Sequence, residues 1–192
     1  MKTKTVFALI LLAIGIGSVN AAAFKKISGN RLLHVPSNVI FPVKVALFNR
    51  AETELYDSTG RDVSVRYLLD ELILADVYAY PSGGPRGDLK QEFARQQSDI
   101  RRLNKNVRVV SDASVQTTQG GRSLVGRRAT YDLVRTKGLF GNAREVKCGS
   151  QLIIFQDGAW FIAYRFSYPR ERSEIANKHV TDFLNQWHWR ER

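Results

Sequence analysis

Residues 144–169 read REVKCGSQLIIFQDGAWFIAYRFSYP, and this stretch decides the fold. Two apolar runs, Arg144 to Gln156 and Ala159 to Tyr168, flank Asp157-Gly158, a strong two-residue signal for a β-hairpin. In the second run Trp160, Ile162, Tyr164, Phe166 and Tyr168 share one face, Arg165 and Ser167 the other, and Pro169 ends the strand. Five large side chains on one face need a cover. The next segment, 171–187, supplies it as a helix with Ile175, Ala176, His179, Val180, Phe183, Leu184 and Trp187 on its buried side. Any groove between this helix and the sheet, lined by Trp160, Tyr164, Tyr168 and Trp187, is where a small hydrophobic ligand would sit.

Upstream, Val107 to Thr118 and Ser123 to Arg135 flank Gln119-Gly120-Gly121-Arg122, a second hairpin signal. The period changes to three or four at Leu89, Phe93, Gln96, Ile100 and Leu103, a helix over 88–104. Asp88 with Gln91 forms a capping-box pattern, and Asn104-Lys105-Asn106 stops the helix. Leu72 to Tyr80 reads as a mid-sheet strand, ended by Pro81-Ser82-Gly83-Gly84-Pro85, and Val63 to Leu69 as a half-buried one. Phe41 to Phe48 alternates with Val43, Val45 and Leu47 on one face and is read as one strand running on toward Tyr56; Leu32 to Val35 is a short strand. The expected architecture is one α+β domain over 22–192, a meandering antiparallel sheet of about 7–8 strands packed by two helices.

The first residues read differently. Lys2 and Lys4 precede an apolar run from Val6 to Val19, and Ala21, Ala22 and Ala23 follow. Charge, a short apolar core and small residues, in that order, make a secretory signal peptide over 1–21, cleaved after Ala21 or after Ala23. The run of 14 residues falls short of the roughly 20 a spanning helix needs, so no membrane span is expected after cleavage. A periplasmic or secreted protein follows, and a single Cys excludes an internal disulfide framework.

Four strands, a helix, four strands and a C-terminal helix resemble the PsbP-like fold. The stretches Phe48-Asn49-Arg50, Asp62-Val63-Ser64-Val65-Arg66-Tyr67, Val77-Tyr78-Ala79-Tyr80-Pro81 and Tyr164-Arg165 look like those of a group of uncharacterised exported bacterial proteins. PsbP-like domains act mostly as accessory, assembly or docking modules, so the resemblance implies a non-enzymatic role. It transfers no functional residue.

The residues themselves point away from catalysis and cofactors. Cys148 shares strand parity with Val146, Ser150, Leu152 and Ile154, the setting of a buried structural thiol. His34, His179 and His188 show no metal spacing, and His179 reads as a hydrogen-bonded core residue. No nucleophile elbow and no phosphate-cradling Gly-Lys-Ser/Thr loop occurs. Asp76, an acid inside an apolar strand, is expected at a strand end or edge with its hydrogen bonds satisfied. No metal, no cofactor and no enzyme are expected.

Charge is the asymmetric signal. The chain of 192 residues carries 29 Lys and Arg against 18 Asp and Glu, a formal +11. Residues 1–21 hold two of those cations and no acid, leaving +9 after cleavage. Twelve cations lie in 95–147: Arg95, Arg101, Arg102, Lys105, Arg108, Arg122, Arg127, Arg128, Arg135, Lys137, Arg144 and Lys147. Only four acids lie among them, Asp99, Asp112, Asp132 and Glu145. If the helix, the hairpin and the Gly-containing loop at 138–141 share a side, they form a basic face for an acidic protein or an anionic envelope component. The absence of a recognition module with aromatics among exposed cations argues against nucleic acid. An accessory or adaptor role is the reading this supports. A periplasmic immunity or inhibitor protein against an acidic toxin or enzyme, and a small hydrophobic-ligand binder, are the alternatives.

Overall fold

The structure, a computed structural model, describes residues 23–190 apart from 71, 84–86, 137–138 and 140–143. The signal segment, Lys137 and all of the 138–141 loop but Leu139 therefore lie outside the described residues. Three short strands, β1 (Phe24–Ile27), β2 (Arg31–His34) and β3 (Val39–Phe41), form a small antiparallel sheet. The main chain path continues through β4 (Lys44–Val45), β5 (Phe48–Leu55), β6 (Val63–Leu69) and β7 (Ile73–Pro81). Helix α1 (Leu89–Leu103) crosses to a second meander, β8 (Asn104–Gln119), β9 (Arg122–Arg135), β10 (Val146–Asp157) and β11 (Trp160–Pro169). A single 3-10 turn, Arg170–Arg172, leads into α2 (Ser173–Gln186).

The two meanders join through β7 and β11, giving one eight-stranded antiparallel sheet in the order β4-β5-β6-β7-β11-β10-β9-β8. The α+β class and the single domain expected from the pattern are what the chain adopts. The joint lies in the middle of the sheet, between two strands whose apolar runs are buried on both faces.

Local chemistry explains most boundaries. The Asp88 carboxylate accepts hydrogen bonds from the N–H groups of Lys90 (2.8 Å) and Gln91 (3.2 Å), starting α1. At its end Asn104 is extended, and its side-chain amide donates to the Ile100 carbonyl. The β8–β9 hairpin turns on Gly120 and Gly121, both at positive φ as a type I′ turn requires. In the β10–β11 hairpin the turn residues are Gly158-Ala159, with Gly158 at φ 64°, while Asp157 stays in the strand opposite Trp160. The Asp-Gly pair thus marks the hairpin, yet its Asp belongs to the ladder.

Four local expectations need correction. The strand from Phe41 toward Tyr56 is broken: Pro42 donates no hydrogen bond, Ala46 takes φ 51°, and the chain reverses between β4 and β5. Val45 is buried there, but Val43 and Leu47 are exposed. Of the small sheet, β2 answers to the short strand read at 32–35, but β1 and β3 were not legible, because strands of three or four residues carry too few positions to show a period. Ile175 is exposed rather than part of the buried side of α2, and His179 is half-buried. Asp76 lies in the middle of β7, not at an edge or a strand end.

Alternation along the central strands gives the sheet two unlike faces. On one, Ile153, Phe155, Tyr164, Phe166 and Tyr168 pack with Ala176, Val180 and Phe183 of α2 and with Trp187 and Trp189 behind it. On the other, Ala129, Tyr131, Leu133, Cys148, Leu152, Ile154 and Ala163 pack against Phe93 and Ile100 of α1.

Candidate functional site

The described cations of 95–147 do not share one side. On the α2 side, Arg108 pairs with Asp132, Arg122 with Asp157, and Arg128 donates to Gln151 Oε1. On the α1 side, Arg127 lies over the Phe93 ring and pairs with Asp112, and Arg95 pairs with Glu92 and Asp99. What the topology does bring together is a subset at one end of the sheet. Asn104, Arg135 and Val146 are cross-strand neighbours, so the end of α1, the start of β8, the end of β9 and the start of β10 meet. Arg101, Arg102, Lys105, Arg135, Arg144 and Lys147 cluster there, against the acids Asp99 and Glu145. Arg102 pairs with Asp99 and Lys105 with Glu145; Arg101, Arg135, Arg144 and Lys147 make no ion pair among the described residues.

This basic end opens into a groove between α1 and the sheet. Two adjoining hollows of about 370 and 530 Å³ share Tyr78, Arg102, Leu103 and Arg165. Their floor follows from register. Arg66, Asp76, Arg165 and Leu152 are successive cross-strand partners on β6, β7, β11 and β10, so they form one row on one face. Arg66 Nε donates to Asp76 Oδ1 at 2.7 Å, so the odd acid in the apolar strand is satisfied by a neighbouring strand. Arg165 stands across from the same Asp76 but makes no hydrogen bond or ion pair among the described residues. Burial, and then the nearby Arg135 charge, push its pKa below the ordinary arginine value, against the opposing pull of Tyr78 and Asp76.

Aromatic side chains extend the groove away from the basic end. Tyr56 and Tyr78 stack with centroids 6.2 Å apart and planes at 28°. Burial pushes the Tyr56 hydroxyl up to about 12, where it donates to Glu54 and meets Ser64. Tyr80 donates to Glu92 Oε1 at 2.8 Å, and Asp62 and Arg95 line the far end. Burial raises the pKa of Asp62.

The aromatic groove expected beside α2 is narrower. A cavity of about 190 Å³ is lined by Ile153, Phe155, Tyr164, Leu184 and Trp189, with Arg128 and Gln116 at its polar rim. Of the four aromatic residues read as its lining, Tyr164 alone reaches it. Trp187 is sealed in the core, donating Nε1–H to the Ile40 carbonyl at 2.9 Å. Tyr168 bonds to Asn177 and Gln151, and Trp160 lies beside His34 and Arg61.

The remaining candidates are placed as structural parts. Cys148 is buried and its thiol pKa is raised by that burial. No cluster of three or more metal-ligating side chains occurs among the described residues. Two residues had been overlooked. His34 is the fully buried histidine, held by Ser37 (2.6 Å) and the Gly60 carbonyl (2.7 Å). Asp157 is buried among Arg122, Arg190 and Trp189. Arg165 was visible as the one charge inside the aromatic strand, but its lack of a partner was not.

No family model and no curated protein matches the chain. Among solved structures it is similar to the solution structure of cyanobacterial PsbP (CyanoP) from Synechocystis sp. PCC 6803. The TM-score is 0.48 at 13% identity, over 90% of this chain and 96% of that one. That likeness transfers no residue and no activity. No helix among the described residues is long and apolar enough to cross a membrane.

Proposed function

We propose that the protein is an exported accessory module that binds rather than catalyses, docking on an acidic partner protein through the basic end of its sheet. The observation that carries this reading is convergence. Residues far apart in sequence, Arg101, Arg102, Lys105, Arg135, Arg144 and Lys147, meet at one end of the sheet, where Asp99 and Glu145 pair with two of them. Four of the six have no carboxylate partner among the described residues, so the field at this end is positive and faces solvent. The signal-like segment at 1–21 supports export to the periplasm or beyond.

The test uses the chain from Ala22 onward, which holds every described residue, on envelope extract with a salt gradient. One stoichiometric acidic protein is expected, released by moderate salt and not captured by the triple variant R101E/R144E/K147E. Capture that ignores both salt and the charge reversal, or recovery of nothing, overturns the reading. Recovery of anionic lipid alone replaces the protein partner with a membrane surface.

A further inference from the structure

The docking surface leaves the groove beneath α1 unexplained. Arg165 stands in its floor, half-buried among Tyr78, Leu103, Leu152 and Ala163, and without a counter-ion among the described residues. The acid opposite is committed elsewhere, since both Asp76 oxygens are engaged by Arg66, at 2.7 and 3.4 Å. A guanidinium withdrawn from water without a carboxylate costs stability, and an interior does not keep one there for packing. Arg135 lines the same hollow, also unpaired, and its charge acts on Arg165 unfavourably. Two cations that repel one another across a hollow are poised for an anion between them.

The surroundings narrow the class of anion. Arg102, Asn104, Thr136 and Ser167 line the hollow around the two unpaired guanidinium groups, so planar forks and small hydroxyl or amide groups converge there, beside the Asp76 carboxylate that Arg66 holds. Two of the hollow's cations, Arg165 and Arg135, make no ion pair among the described residues, and two guanidinium groups fit a dianionic tetrahedral head better than a single carboxylate. The adjoining hollow of about 530 Å³ has an apolar and aromatic wall of Tyr78, Tyr80, Leu103, Leu152 and Ala163 for the body of the ligand, with Asp62, Arg95 and Asp99 on its polar side.

We propose that the groove between α1 and the sheet binds a phosphate monoester, its head between Arg165 and Arg135 and its apolar body along Tyr78 and Leu103. This site adjoins the docking surface and shares Arg102 and Arg135 with it, while Arg165 belongs to the groove alone.

Calorimetric titration and phosphorus NMR on the chain from Ala22 decide it, using phenyl phosphate, hexyl phosphate, inorganic phosphate and phenylacetate. Both esters are expected to bind one site, about tenfold or more tighter than inorganic phosphate or phenylacetate. The tighter of the two distinguishes an aromatic from a lipid-like source. R165M is expected to lose about 30-fold or more in ester affinity while its thermal midpoint stays or rises, since the variant keeps the apolar stem and removes the unpaired charge. R135Q, a half-buried site whose change does not threaten folding, loses about tenfold. K147E leaves ester binding unchanged although it weakens docking, so the two readings fail independently. No ester binding, equal binding of inorganic phosphate, or R165M and R135Q both binding as the parent chain does overturns the proposal. Should R165M not fold, R135Q alone decides.

Discussion

The two faces of the one sheet solve opposite problems. Beneath α2 the strands present Phe166, Tyr164 and Tyr67 to Phe183, rings meeting edge to face at 5.4 to 6.4 Å, and Tyr164 meets Trp187 in the same way at 5.3 Å. The polar groups there are sealed by partners: Trp187 by the Ile40 carbonyl, Asp157 by Arg190 and Trp189, Gln119 by the backbone of Trp187 and Trp189. Beneath α1 the same strands present Asp76, Tyr78 and Arg165, the helix covers only the β8–β10 end through Phe93 and Ile100, and a groove stays open. One side holds the fold together, which frees the other to carry charge without a partner.

Removing Trp187 tests that division most severely. W187A is expected to destabilise by about 3–5 kcal/mol in urea unfolding, as loss of a fully buried aromatic does. On the opposite face L103A, at a residue 54% exposed, is expected to stay within about 0.5 kcal/mol. Equal losses at the two positions would erase the distinction between the faces.

The Asp157 cluster comes next. Burial raises the pKa of this carboxyl, but the hydrogen bond and charge of Arg190, the Trp189 N–H and the Arg122 charge outweigh it and hold the pKa below its ordinary value. A depressed carboxylate stabilises the fold above its unfolded pKa of roughly 3.9 and loses that contribution as pH falls through its folded value. D157N is expected to cost about 3 kcal/mol at pH 7 by leaving Arg190 without its partner. It should also flatten the acid limb of stability measured from pH 5 to pH 2. A variant whose acid limb matched the parent's would place acid sensitivity elsewhere.

The smallest expected effect belongs to His34. Burial lowers its pKa, against the raising influence of the Gly60 carbonyl and Asp57. Its Nε2–H donates to Gly60 and its Nδ1 accepts from the Ser37 hydroxyl, so the neutral ring satisfies both partners. With the folded pKa below the unfolded one, stability is full above about pH 6.5 and declines as pH falls from there toward the folded value. Thermal midpoints between pH 8 and pH 5 should show a shallow fall that H34Q removes.

Legibility followed the length and regularity of each element. The hairpins at Gly120-Gly121 and Gly158, the helix at Leu89–Leu103 and the aromatic strand over α2 were all readable, because each repeats a period over many residues or carries a glycine whose backbone demands a turn. Strands β1 and β3 of the small sheet were not, and the break at Ala46 was hidden by apolar residues that happened to alternate across a turn. For the site, the excess of cations between Arg95 and Lys147 was plain, but its split over two faces was not.

By itself the sequence determined the class of fold, the place of the hairpins, the burial of the aromatic strand and the size of the positive charge. These depend on local period and composition, which neighbours along the chain decide. Tertiary structure alone decided which cations meet, that Asp76 is taken by Arg66, and that Arg165 stands in a groove with no ion pair among the described residues. The register of β6, β7 and β11 sets those relations between residues 10 to nearly 100 positions apart, and charge acts through that distance in space.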